Sequence, residues 1–269
     1  MILHYWRCFA GIVRREVLRF VHQRGRFFSA LVRPLVWLFI FAAGFRFVLG
    51  VSIVPPYQTY VPYEVYITPG LVGMVLLFNG MQSSLSIVYD REMGSIRTLL
   101  VSPLPRWFLL LAKLLASVSV SILQAFAFLA IALLWGIEAP WYGYIAVLPA
   151  LVAVGLMVGA LGLLLSSFIR QLENFAGVMN FVIFPMFFAS SALYPLWRVR
   201  EADLWLYFAC WNNPFTHGVE LIRFALYGQL NVVSAGYVGV AAVLFFALAM
   251  IGYDPALGML PRRAGAASD

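Results

Sequence analysis

The sequence predicts an all-α integral membrane protein, and three observations carry that prediction. Of the 269 residues, 63% are hydrophobic and 11% charged, with a mean hydropathy of +0.91, whereas a soluble domain carries about 25% charged residues. Apolar runs of bilayer-crossing length recur along the chain, and at about 20 residues per span there is room for six spans with their connections but for no separate soluble domain. The basic residues also sort by side. Arg198, Arg200 and Arg223 fall before the last run and Arg46 lies inside the first, while the rest, from Arg7 to Arg263, fall on the opposite face. Excess Lys and Arg mark the cytoplasmic side, so both termini are expected in the cytoplasm. Lipid offers a backbone no hydrogen-bond partner, so every span must be helical.

In chain order, residues 5–26 come first. At about 100° per residue, Trp6, Phe9, Val13, Val17 and Phe20 share a stripe from which Arg7, Arg14, Arg15 and Arg19 turn away. The expectation is a surface helix with aromatics in lipid and arginines at the headgroups, and residues 1–29 are taken as that unit. The six spans are read at 31–54, 65–88, 107–136, 144–168, 175–193 and 235–253, within a membrane unit of 30–261 followed by a tail of 262–269. Pro55, Pro56 and Pro62 with Tyr57, Tyr60, Tyr63 and Tyr66 mark a short outer loop with interfacial aromatics.

Between the second and third spans lies DREMGSIRTLLVSPLPR, residues 90–106. A chain that merely turns around needs no helix of its own. Asp90 is read as an N-cap, Ile96, Leu99, Leu100 and Pro103 fall along one stripe, and Ser102, Pro103 and Pro105 stop the helix. Such a segment suits docking against something soluble; the bland reading is a solvated charged loop. The long connection before the last span contains an apolar run, 204–211, too short to cross. It is expected to form a helical hairpin dipping part way into the outer leaflet.

Chemistry can be tested by absence from the sequence. It has no GxxxxGK[ST], HExxH, GxSxG or CxxC motif, and His4, His22 and His217 fall outside the spans read here, leaving no imidazole for a haem or metal between them. The third to sixth spans hold almost no acid or base away from their ends, unlike ion-coupled carriers. Energy is therefore expected from a partner chain. The net charge of +7 and pI near 9.6 are read as topology and lipid contact, not nucleic-acid binding. The Arg-rich start, lacking a short apolar core with a small-residue cleavage site, is not read as a cleavable signal. Cys8 and Cys210 are assigned to opposite sides and cannot pair within one chain.

Residues 90–117, DREMGSIRTLLVSPLPRWFLLLAKLLAS, resemble the signature of ABC-2 type permeases, the membrane subunits of bacterial ABC exporters, with Ala112 and Lys113 matching the opening of the third span. FPMFFASSALYPL (184–196) and NNPFTHGVELIRFALYG (212–228) are similar to two further segments of that family, in the same order. The resemblance implies a six-span, type V fold with an N-terminal amphipathic interfacial helix, a cytoplasmic coupling helix between spans two and three, and a re-entrant helical hairpin between spans five and six. It implies a subunit of an ATP-driven exporter in a bacterial inner membrane, paired with a second permease copy and with two ABC ATPase subunits. The chain would hold no cofactor of its own; ATP and Mg would be bound by the partner ATPase. Asp90, Arg91, Glu92, Gly94, Ile96, Arg97, Leu99 and Leu100 would form the ATPase-coupling element, with the charges as its polar face.

By the same resemblance, spans one, two and five would line a substrate path on a two-fold axis. Candidate lining residues are Phe78, Asn79 and Gln82 in the second span, Asn174, Asn180 and Phe184 at the fifth, and Arg46 in the first. Two readings of the polar groups stay open, a path or helix-to-helix hydrogen bonding, and Arg46 either meets an anionic substrate or snorkels outward. Glu173, three after Arg170, suits the dipole at a helix start. A scaffold subunit anchoring a cytoplasmic partner and an ion-coupled secondary carrier are the alternative functions.

Overall fold

A computed structural model describes residues 2–22, 24–45, 55–92, 105–169 and 171–253. Among them are ten helices and no sheet: α1 (Ile2–His22), α2 (Arg24–Phe45), α3 (Tyr63–Glu92), α4 (Arg106–Leu134), α5 (Gly143–Phe168), α6 (Leu172–Phe188), α7 (Leu196–Ala202), α8 (Leu204–Asn212), α9 (Pro214–Ala225) and α10 (Val232–Gly252). Four helical stretches are long and apolar enough to cross a membrane: Tyr63–Tyr89, Arg106–Leu134, Gly143–Phe168 and Val232–Gly252. The expected first and fifth spans are represented by shorter apolar helices, Leu31–Ile40 within α2 and Leu172–Phe188.

α3 is the axis of the molecule. Every residue from Leu71 to Phe78 is buried, because α2, α4, α5, α6 and α9 all pack around this helix. Among apolar helices in lipid, close approach depends on small residues, and glycines supply it here. A Cβ added at Gly80 would lie 3.0 Å from the backbone nitrogen of Gly159, so α3 and α5 cross almost backbone to backbone. At the other end of α5, a Cβ at Gly143 would fall 1.8 Å from the Leu226 carbonyl oxygen, which pins the turn after α9 against the start of α5.

α6 buries Phe175, Met179, Ile183 and Phe187, one residue every turn, and this stripe faces α3. Trp37 of α2 meets Phe187 edge-on at 5.6 Å. The opposite face of α6 stays exposed, with Phe181 at 78%. α10 lies along α5 and leaves Val240, Val243, Leu244 and Ile251 exposed.

The expected surface helix over 5–26 and the span from residue 31 fall on α1, Ile2–His22, and α2, Arg24–Phe45. One boundary differs from expectation. Asp90 is not an N-cap: α3 continues through Asp90 and Arg91 to Glu92. An acid caps a helix where the chain before it is not helical, and no Gly or Pro stands in 81–89 to break α3 ahead of Asp90.

The expected hairpin before the last span is a chain of three short helices. Asp203 caps α8, its Oδ1 accepting from the amides of Trp205 (2.7 Å) and Leu206 (3.1 Å). Asn213 caps α9, its Oδ1 accepting from the Phe215 amide at 3.0 Å, with Pro214 in the first turn. α8 and α9 thus each start with a side-chain acceptor for an orphan amide, whereas α7 starts behind an extended Pro195 without one.

Candidate functional site

Three regions carry polar chemistry on an otherwise apolar frame. The first is the basic-face connection between α3 and α4. Glu92 is exposed at the end of α3, and Arg106 opens α4 behind an extended Pro105. Asp90 and Arg91 lie in the last turn of α3, and Gly94, Ile96, Arg97, Leu99 and Leu100 lie outside the described residues. The flanks are informative, because Tyr5 of α1 meets Phe108 of α4 edge-on at 4.9 Å and α1 packs along α4. The N-terminal helix is thus seated on the element that leaves the connection. Lys113, two turns further, is buried.

The second region is on α3. Phe78, Asn79 and Gln82 line one cavity of about 80 Å³ together with Arg33, Pro34 and Met74. The Arg33 guanidinium lies 3.7 Å over the Phe78 ring, a cation–π contact. Asn79 donates through Nδ2 to Oε1 of Gln124 on α4, and Gln124 is buried. The amide of Asn79 therefore joins two helices, the helix-bonding alternative, while Gln82 remains on the cavity wall. Asn174, Asn180 and Phe184 do not join this cavity: they lie on the exposed face of α6. There Asn174 donates to Oε1 of Gln171 at 2.6 Å and Phe184 stacks on Phe188 at 6.2 Å. Arg46 lies outside the described residues.

The third region escaped the sequence reading. Arg223 of α9 is only 1% exposed, paired with Glu220. Its Nη2 donates to the Ser191 carbonyl at 2.8 Å, and its guanidinium lies 4.1 Å over the Tyr66 ring. Tyr66 donates to the same Ser191 carbonyl at 3.1 Å, and Tyr63 to the Leu193 carbonyl at 2.9 Å. One buried charge thus gathers α3, α9 and the turn after α6, its two terminal nitrogens answered while its Nε and the Ser191 hydroxyl stay buried without a hydrogen-bond partner. The i, i+3 spacing of Glu220 and Arg223 was a readable signal. Its meaning was not, since Arg223 counted only as one outer-face charge.

Beside this cluster His217 is buried. Its ring stacks on Tyr237 of α10 with centroids 4.0 Å apart and its Nε2 lies 2.9 Å from the Trp211 carbonyl. A carbonyl only accepts, so Nε2 carries the proton and a neutral ring leaves Nδ1 as an acceptor. Burial holds the imidazole below its ordinary value, against the Trp211 carbonyl and Glu220, which favour the protonated ring. No three His, Cys, Asp or Glu side chains converge as a metal site among the described residues.

Comparison with known proteins fits a transporter frame. The chain is 31% identical over 170 residues to a probable multidrug ABC transporter permease, YbhR, of Escherichia coli strain K12, a match covering 62% of this chain and 45% of that protein. It is 28% identical over 220 residues to the putative transport permease ycf38 of Cyanophora paradoxa, covering 79% of this chain and 72% of that one, and 24% identical over 223 residues to its namesake in Porphyra purpurea, covering 80% and 72%. The match to the Escherichia coli permease thus spans less than half of that protein's length. The family model described as ABC-2 type transporter matches residues 7–227, so this apolar helical chain, with its charged connection after α3, belongs to the ABC-2 type transporter family.

Proposed function

We propose that the chain is the membrane subunit of an ATP-driven exporter: a six-span permease in a bacterial inner membrane, both termini in the cytoplasm, acting as a two-fold dimer above two ABC ATPase subunits. The observation that carries this reading is the family match over residues 7–227. Beside it stands a frame in which α1 packs along α4, the helix that follows the charged connection. In this reading residues 91–101 form the coupling helix that rides in a groove of the ATPase, with Arg91, Glu92 and Arg97 making charge-assisted contacts and Ile96, Leu99 and Leu100 apolar ones. ATP and Mg are bound by the ATPase. Closure of the ATPase dimer moves the coupling helix and α1 as a rigid lever on α3 and α4.

The substrate passes between two copies, along walls drawn from α2, α3 and the exposed face of α6. Phe78, Gln82, Asn180 and Phe184 then face the path, while Asn79 holds α3 to α4. Walls of Phe and Met suit an apolar or amphiphilic cargo.

Co-purification with the partner ATPase tests the reading. Glu92→Ala or Leu99→Asp is expected to lower permease-stimulated ATP turnover about tenfold, the order of an interface anchor lost, while the chain stays inserted. Wild-type stimulation in both variants removes the coupling assignment. Ion-gradient uptake by the chain without an ATPase favours a secondary carrier, and a stable ATPase complex that moves nothing favours a scaffold.

A further inference from the structure

A second cavity lies at the opposite end from the α3–α4 connection, between α7, α8, α9 and the start of α10, with a volume of about 330 Å³. That is the lower end of the range in which small molecules are held. Its walls combine indole and phenyl rings from Trp197, Trp211 and Phe224 with Glu220, Arg223 and His217.

The two charges are not equivalent. Arg223 is sealed in, its side chain 2% exposed and its terminal nitrogens engaged by Glu220 and the Ser191 carbonyl. Glu220 is 19% exposed, so the charge within reach of a guest is the carboxylate. Neutral His217, with Nε2 committed to the Trp211 carbonyl, adds acceptor character. Aromatic faces attract a cation through their quadrupoles, and a desolvated carboxylate beside them adds to the attraction. One ring already holds such a contact: the Arg198 guanidinium lies 5.2 Å over Trp197.

We propose that this cavity is a binding site for an alkylated ammonium group, carried either by a soluble organic cation or by an aminophospholipid headgroup. The site is set up before any guest arrives. Asp203 and Asn213 cap the two helices that form its floor, the Thr216 hydroxyl donates to the Cys210 carbonyl at 2.6 Å, and His217 is clamped between Trp211 and Tyr237. Little ordering is left to oppose binding. The site stands on these residues alone and does not require that the chain exports anything.

The full chain in nanodiscs of digalactosyldiacylglycerol, a neutral amine-free lipid, allows a direct test by ¹⁹F NMR with 4-fluorobenzyltrimethylammonium and its neutral isostere 4-fluoroneopentylbenzene. The cation is expected to bind saturably, one per chain, and more tightly than the isostere. Glu220→Gln keeps an oxygen for Arg223 but removes the charge, and Trp211→Leu keeps the carbonyl for His217 but removes the ring. Each is expected to weaken the cation by about 3- to 30-fold and to leave the isostere within about twofold. If Glu220→Gln does not fold, Trp211→Leu decides alone. Phosphatidylethanolamine added to the discs displaces the probe if the headgroup is the resident guest and leaves it bound if a soluble cation is. Non-saturable uptake, equal affinity for the isostere, or wild-type affinity in Trp211→Leu overturns the assignment.

Discussion

Arg223 shows how one side chain can govern a region. Removing it strands Glu220, uncovers the face of Tyr66 and leaves the Ser191 carbonyl to the Tyr66 hydroxyl alone, and breaking one partner out of a buried ion pair costs about 3–5 kcal/mol. Arg223→Ala is therefore expected to lower the midpoint of denaturant unfolding in detergent sharply. Arg223→Lys recovers only part, because one ammonium cannot serve both acceptors in a fixed fork. His217 makes a separate prediction. Its folded value lies below the ordinary one through burial, so the stability it contributes is present above about pH 6.5 and lost as pH falls through the folded value. The groups facing it are the Trp211 carbonyl, Glu220 and the Tyr237 ring. A wild-type Tm that declines as pH falls below about 6.5, with a flatter profile in His217→Asn, is the expected result. The sequence displayed Asn79, Glu220 and Arg223 as polar groups in apolar surroundings. It could not display Ser191 as an acceptor, because a backbone carbonyl leaves no mark in residue type.

Helix existence was legible almost throughout, since runs such as 107–136 and 144–168 in an apolar chain admit no other backbone solution; the helices found are Arg106–Leu134 and Gly143–Phe168. Helix ends were less so. The persistence of α3 through Asp90 depends on what lies beside the chain, which residue order alone does not give. The crossing of α3 over α5 is a further case: Gly155 and Gly159 stand four apart, a pattern that marks close helix packing, but their partner Gly80 is set by tertiary register. Gly80→Val would push branched carbons into the Gly159 backbone, 3.0 Å from the first added atom. Overpacking of this kind costs about 1–3 kcal/mol. A fall in thermal stability with retained helicity by circular dichroism is expected, whereas Gly236→Val, which meets open space, should be close to neutral.

At the scale of the molecule, the exposed apolar surface divides into two kinds. α10 offers aliphatic side chains at Val240, Val243 and Leu244, the composition of a lipid-facing wall. α6 instead offers Phe181, Phe184 and Phe188 beside Asn174 and Asn180, a mixture better suited to protein or water than to hydrocarbon. In the dimeric reading α6 faces its counterpart. Phe181→Cys, with Cys8 and Cys210 replaced by Ser, is expected to cross-link two copies in membranes under mild oxidation, and Val243→Cys is not; the reverse pattern removes α6 from the axis. Asn213 adds a constraint on any such pore. Its Nδ2 donates to the carbonyls of Met186 (2.8 Å) and Ala189 (2.6 Å) while its Oδ1 caps α9, and Arg223 carries α9 onto the turn after α6 and onto Tyr66 of α3. A single carboxamide thus works as a rivet: the C-terminal end of α6 cannot tilt by itself, and in the dimeric reading any mouth it borders widens only when α9 and the start of α3 swing with it as one plate.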